Sequence, residues 1–107
     1  MKLFNEAISG KTQADGAFSV SLLGADRFLY HQIQVSLSAV PDAGSLAVAV
    51  KSPGAAGFVP IDGTFVLTGT ELLKTFGPVF AEAIQFTPTD LDSDVTYGVV
   101  VTSGGGE

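Results

Sequence analysis

Hydrophobic and polar residues alternate along much of this chain with a period of two, the spacing of strands that bury one face. Ile33, Val35 and Leu37 alternate with Gln32, Gln34, Ser36 and Ser38 within a strand read from Leu29 to Val40. Just upstream, Phe28-Leu29-Tyr30-His31 breaks the alternation and predicts a bulge. Leu46, Val48 and Val50 alternate with Ser45, Ala47, Ala49 and Lys51, and Phe18, Val20 and Leu22 with Ser19 and Ser21. Towards the C-terminus, VFAEAIQFT and VTYGVVV form a strand pair across the polar turn PTDLDSD. Phe80, Ile84 and Phe86 share a face of the first, with Glu82 the exception, and Val95, Tyr97, Val99 and Val101 share a face of the second. The expected core is therefore Ile33, Val35, Leu37, Val48, Ile84, Phe86, Tyr97 and Val99.

Shorter pieces fill the gaps. Phe58 to Ile61 is extended and carries Pro60, which confines it to a sheet edge. Thr64 to Thr68 is a strand, and Glu71 to Phe76 (ELLKTF) reads as a single helical turn. Turn chemistry stands at Asp15-Gly16, Gly24-Ala25-Asp26, Pro41 to Gly44 and Asp62-Gly63. Leu3, Phe4, Ala7 and Ile8 make residues 1–9 an edge strand or an arm lying on a neighbour. Ser103 to Glu107 reads as a flexible tail. Seven to eight short strands with regularly spaced turns predict one domain over residues 1–107, an all-β antiparallel sandwich of jelly-roll or immunoglobulin-like topology.

Composition narrows the function. With no cysteine, neither disulfides nor thiolate metal sites are available. A net charge of -6, with only Lys2, Lys11, Arg27, Lys51 and Lys74 basic, argues against a nucleic-acid surface. Apolar runs are too short and broken for a membrane-spanning helix, and MKLFNEAISG lacks the apolar segment of a signal peptide. Charged residues are 15% of the chain, against about 25% for an average soluble domain, and the mean hydropathy is +0.41. So sparse a charge leaves two readings: Ser, Thr, Gly and Gln solvate the surface, or part of it is buried against other subunits.

Candidate chemistry is thin. Asp90, Asp92 and Asp94 have the spacing of the first three ligands of a calcium loop, since a hard cation wants several oxygens on one short turn. The helical template then needs Gly at the sixth position and Glu at the twelfth, where this chain has Val95 and Val101. The turn is read as a solvated one, with no metal and no cofactor expected. His31 is the single histidine; it sits in a strand, no nucleophile elbow accompanies it, and a structural role is expected. Carbohydrate binding leans on exposed aromatics, and the chain has no Trp and two Tyr. No catalytic constellation emerges, so the chain is expected not to be an enzyme.

Two resemblances add to this. Leu91 and Tyr97, with Thr96 between them and alternating valines after, resemble the tyrosine-corner segment of fibronectin type III sandwiches, although that family's early-strand tryptophan has no counterpart here. More widely, GSLAVAVKSPG, IDGTFVLTG, FAEAIQFTPT and VTYGVVVTS resemble small, acidic, cysteine-free sandwich proteins of tailed-phage virions, including capsid decoration (cement) proteins. That resemblance implies a non-enzymatic virion protein that binds the major capsid protein or other virion subunits, often as a trimer at symmetry axes. The expected contact residues are Leu3, Phe4 and Ile8 of the arm, with Pro53 and Phe58 of the loop at residues 52–58. The alternative is a tail or surface binding module that recognises a glycan or receptor.

Overall fold

The computed structural model describes residues 3–22, 29–61 and 64–105. Their strands, in chain order, are β1 (Leu3–Lys11), β2 (Phe18–Ser21), β3 (Tyr30–Leu37), β4 (Ser45–Lys51), β5 (Val59–Pro60), β6 (Phe65–Val66), β7 (Glu71–Phe76), β8 (Ala83–Thr89) and β9 (Tyr97–Gly104). A 3-10 turn at Gln13–Asp15 separates β1 from β2. One sheet, called A here, has the order β1-β9-β3-β7; the other, B, has β2-β8-β4-β5, with β6 also paired to β4. Every pairing is antiparallel. Apart from β4, β5 and β6, which share sheet B, successive strands pass from one sheet to the other, so the sandwich is wound as a jelly roll rather than as an immunoglobulin fold.

The alternation read from the sequence sets which face of each strand is inside. On β3, His31, Ile33, Val35 and Leu37 point inward; on β4, Leu46, Val48 and Val50; on β9, Tyr97, Val99, Val101 and Ser103. Phe86 and Phe65 are the largest fully buried side chains, and Phe86 stacks on Phe18 with ring centroids 5.4 Å apart. All eight expected core residues are buried. Burying each such apolar side chain is worth about 1.5–3 kcal/mol, so the core is where the fold is held.

Several expectations change. ELLKTF is no helical turn but β7, paired with β3 from Ser36↔Glu71 to His31↔Phe76. Leu72 and Phe76 lie inward with Lys74 between them, and Lys74 extends its amine over the Phe65 ring, 5.7 Å from the centroid. A six-residue helix has little stability of its own, whereas the free edge of β3 offers a full ladder of backbone partners. No bulge interrupts the described start of β3, because the β3–β9 register runs unbroken from Tyr30↔Gly104 to Leu37↔Tyr97.

Phe80 is not on the β8 face. It is 51% exposed, β8 begins only at Ala83, and Ala81 takes the buried position instead. Glu82 is therefore no exception to a strand pattern; it precedes the strand, pairs with Lys51 at 3.2 Å and accepts the Gly54 N–H. Residues 3–9 form an edge strand within β1, and Phe4 and Ile8 pack against the core, which gives a place to side chains that the sequence left unassigned. Ser103 and Gly104 belong to β9 rather than to a tail. The turns at Gly24-Ala25-Asp26 and Asp62-Gly63, Phe28, the Leu3 side chain and residues 106–107 lie outside what is described.

Candidate functional site

The register places a definite set of side chains on the outer surface of sheet A. Because residues paired across strands share a face, Asn5, Thr102, Gln32 and Thr75 form one row across β1, β9, β3 and β7. Ala7, Val100, Gln34 and Leu73 form the next row. On the other side of the first row, Tyr30 is paired with Gly104, and Gly77 follows the end of β7. Ser36 and Glu71 are paired in the row beyond Gln34 and Leu73, and Glu71 is the one charged residue at the paired positions of this face.

Tyr30 is 56% exposed, yet its ring is confined. A Cβ built on Gly105 would lie 2.9 Å from Tyr30 Cδ2, and one on Gly77 3.0 Å from Tyr30 Cδ1. The two edges of the ring thus lie against two residues that must lack side chains. Both glycines also have positive φ, 139° at Gly77 and 80° at Gly105, which other residues adopt only with strain. Beside the ring, an open groove of about 430 Å³ is lined by Tyr30, His31, Gln32, Thr75, Phe76 and Gly77.

The wall under this groove is a polar contact inside the core. His31 is 1% exposed, with Nδ1 2.6 Å from Ser103 Oγ and Nε2 3.1 Å from the Val79 carbonyl oxygen. A carbonyl only accepts, so Nε2 carries the proton and the Ser103 hydroxyl donates to Nδ1. Burial lowers the His31 pKa, against an opposing pull from the bond to Val79, and so favours the neutral ring. Phe76 lies beside it, with ring centroids 5.2 Å apart. Ser103 is itself fully buried, so this histidine–serine pair fixes β3, β9 and the segment before β8 and presents no nucleophile to solvent.

Elsewhere on the same face several polar groups bond to one another. Asn5 Nδ2 donates to Thr102 Oγ1 at 2.9 Å, while Gln34 Nε2 and the Ser36 hydroxyl donate to Glu71 Oε1 at 2.8 and 2.7 Å. The bonds from Ser36 and then Gln34 lower the Glu71 pKa. Gln32, Thr75 and the Tyr30 hydroxyl make no side-chain hydrogen bond among the described residues.

The residues singled out from the sequence are not brought to this place. Asp90 and Asp94 are exposed, Asp90 has φ 57°, and Asp92 Oδ2 accepts the Asp42 N–H at 2.8 Å. Among the described residues no three potential metal ligands gather. Gln13 holds the same turn, donating to the Pro88 carbonyl at 3.1 Å and accepting the Leu91 N–H at 2.9 Å. Pro53 is exposed and Phe58 half-buried on the loop that Glu82 anchors through Gly54. Tyr97 departs from the tyrosine corner: its hydroxyl is buried without a hydrogen-bond partner among the described residues, and burial, with Asp15 adding to it, raises its pKa to about 12. Tyr30 was missed in the sequence because it sits in the segment read as a bulge. Its parity with Gln32 and Gln34 was the signal that it faces outward.

No protein-family model matches this chain, and no curated protein matches its sequence. Solved structures do share its shape. The SPBc2 prophage-derived protein YomS matches over 96% of both chains with a TM-score of 0.56 and 12% identity. A family 29 carbohydrate-binding module complexed with cellulohexaose matches 94% of this chain and 70% of its own, with a TM-score of 0.57 and 15% identity. The Drosophila NLP core, described with pentamer formation and histone binding, matches 99% of this chain and 100% of its own, with a TM-score of 0.51 and 13% identity. At such identities the likeness is one of fold: this chain is an all-β, two-sheet sandwich of the kind found in a prophage protein and in carbohydrate-binding modules.

Proposed function

We propose that this chain is a non-enzymatic structural protein of a phage particle, binding and stabilising the capsid, as a decoration protein does, through subunit contacts. The observation that carries this reading is the composition of the two outer sheet faces. Among the described paired positions, the outer face of sheet A has Glu71 as its one charged residue, and that of sheet B has only Lys51 among Ser19, Ser21, Ala47, Ala49, Gln85, Thr87 and Val66. Tyr30, Val40, Val59, Val66, Leu73 and Phe80 add exposed apolar surface. A protein that spends its life in water covers such faces with charge; one that meets other subunits leaves them bare. Many modest contacts of this kind, repeated over a particle, hold by avidity. The fold shared with a prophage-derived protein agrees with this setting. Mass spectrometry of gradient-purified particles should find the chain at stoichiometric copy number with the capsid protein. A chain present in the lysate and absent from the particles would end this reading.

A second reading, a tail or surface module that recognises a glycan, is favoured by one observation: the groove beside the confined Tyr30. The fold shared with a carbohydrate-binding module supports it.

A further inference from the structure

We propose that the groove on sheet A is a binding site for a neutral saccharide, with Tyr30 as the stacking platform and Gln32 and Thr75 as its hydrogen-bonding groups. This rests on the second reading of the function above and deepens it. Three observations converge on the groove. First, its aromatic ring is exposed but not free to swing, because Gly77 and Gly105 close on its two edges. A side chain already held in place loses little conformational entropy when a ligand covers it, which is how an exposed tyrosine becomes a useful anchor.

Second, hydrogen-bonding capacity is left unused beside that ring. Asn5 bonds to Thr102, and Gln34 and Ser36 both bond to Glu71, while Gln32 and Thr75, directly opposite one another on β3 and β7, make no side-chain bond among the described residues. A pyranose has an apolar face of C–H groups and a rim of hydroxyls that donate and accept. The π-face of a tyrosine suits the first. An amide, which has both a donor and an acceptor in one plane, together with a hydroxyl, suits the second.

Third, among the described residues no carboxylate, lysine or arginine lines the groove. Lys74 extends over Phe65, Glu71 lies two rows further along the face and is occupied by Gln34 and Ser36, and His31 is buried with both ring nitrogens partnered. A phosphorylated or carboxylated ligand would find no counter-charge among the described lining residues, whereas a neutral saccharide needs none. The volume of about 430 Å³ lies within the range of about 300–1,000 Å³ usual for small-ligand sites.

The intact chain can be titrated by heteronuclear NMR with linear hexasaccharides of glucose, mannose, xylose and N-acetylglucosamine. At least one should shift the Gln32, Thr75 and Gly77 amides. Tyr30→Ala should weaken that binding by about tenfold or more, Tyr30→Phe should keep most of it, and Gln32→Ala should weaken it several-fold, with thermal midpoints unchanged. Gly105→Ala provides a second variant that displaces the ring without removing it, and it too should weaken binding. A saccharide that binds Tyr30→Ala as tightly as the native chain would overturn the site and leave the glycan reading standing. No binding by any of the four at millimolar concentration would overturn both. A native chain that ignores all four sugars, with Tyr30→Ala altering its sedimentation instead, would reassign the groove to contact between copies.

Discussion

His31 shows how one polar residue can be accommodated in an apolar layer when each of its nitrogens has a fixed partner. In the unfolded chain the imidazole takes up a proton near its ordinary value of 6.5, whereas burial lowers that value in the folded protein. The unfolded state therefore binds more protons as the pH drops through 6.5, and stability present above that value is lost below it until the folded histidine also titrates. Asp15 and Glu71 also have lowered values, but their ordinary values are 3.8 and 4.5, so their losses come at lower pH. Urea unfolding at pH 7.5 and 5.5 should show the native chain weaker at the lower pH. His31→Gln, whose amide can donate to Val79 and accept from Ser103, should remove that difference. His31→Leu should cost about 1–3 kcal/mol at either pH by leaving the Ser103 hydroxyl buried and unpaired. A pH dependence that survives in the Gln variant would assign the loss to another group.

At the scale of elements, legibility followed amphipathicity. β3, β4 and β9 are long and half-buried, so their apolar positions recur at every second residue and their faces were readable without neighbours. β7 was not readable, because its inward series, Leu72, Lys74, Phe76, is interrupted by a lysine whose amine escapes at the sheet edge over Phe65. Leu72 and Phe76, four apart, then imitate a helical stripe. The candidate site was hidden for a related reason: it depends on which residues lie opposite one another across β3 and β7, and on two glycines distant in sequence that meet at one ring. β1 is the element whose status changed most. It pairs with β9 from Leu3↔Gly104 to Lys11↔Tyr97, and Phe4 and Ile8 cover the core from its edge. Deleting residues 1–8 should therefore not leave an intact sandwich. The half-buried pair alone is worth roughly 2–3 kcal/mol, and the freed edge of β9 invites aggregation. A truncated chain that melts at the native temperature and stays soluble would show β1 to be an arm after all.

For the whole molecule, the winding of the strands separates three kinds of surface. Loops and strand edges hold most of the charge, the outer face of sheet A holds the groove, and the outer face of sheet B carries small side chains with Lys51 as the one charge among its described paired positions. The last of these is the face best suited to lie against another subunit, because Ser19, Ala47, Ala49 and Thr87 let a partner's backbone come close and Val66 adds apolar area. Charge placed there tests this with little risk to the fold, since surface changes away from buried networks usually stay within about 0.5 kcal/mol. A Thr87→Lys, Val66→Glu double variant should keep the native thermal midpoint and lose occupancy of particles, whose contacts would then have to bury unpaired charges. Tyr30→Ala, on the opposite sheet, should leave occupancy unchanged. The reverse pattern, with occupancy lost in Tyr30→Ala and kept in the double variant, would move the subunit contact to sheet A and put it in competition with the groove. If both variants occupied particles as the native chain does, neither outer face would be the contact, and the exposed Val59 and Phe80 at the edge of sheet B and before β8 would be the next residues to change.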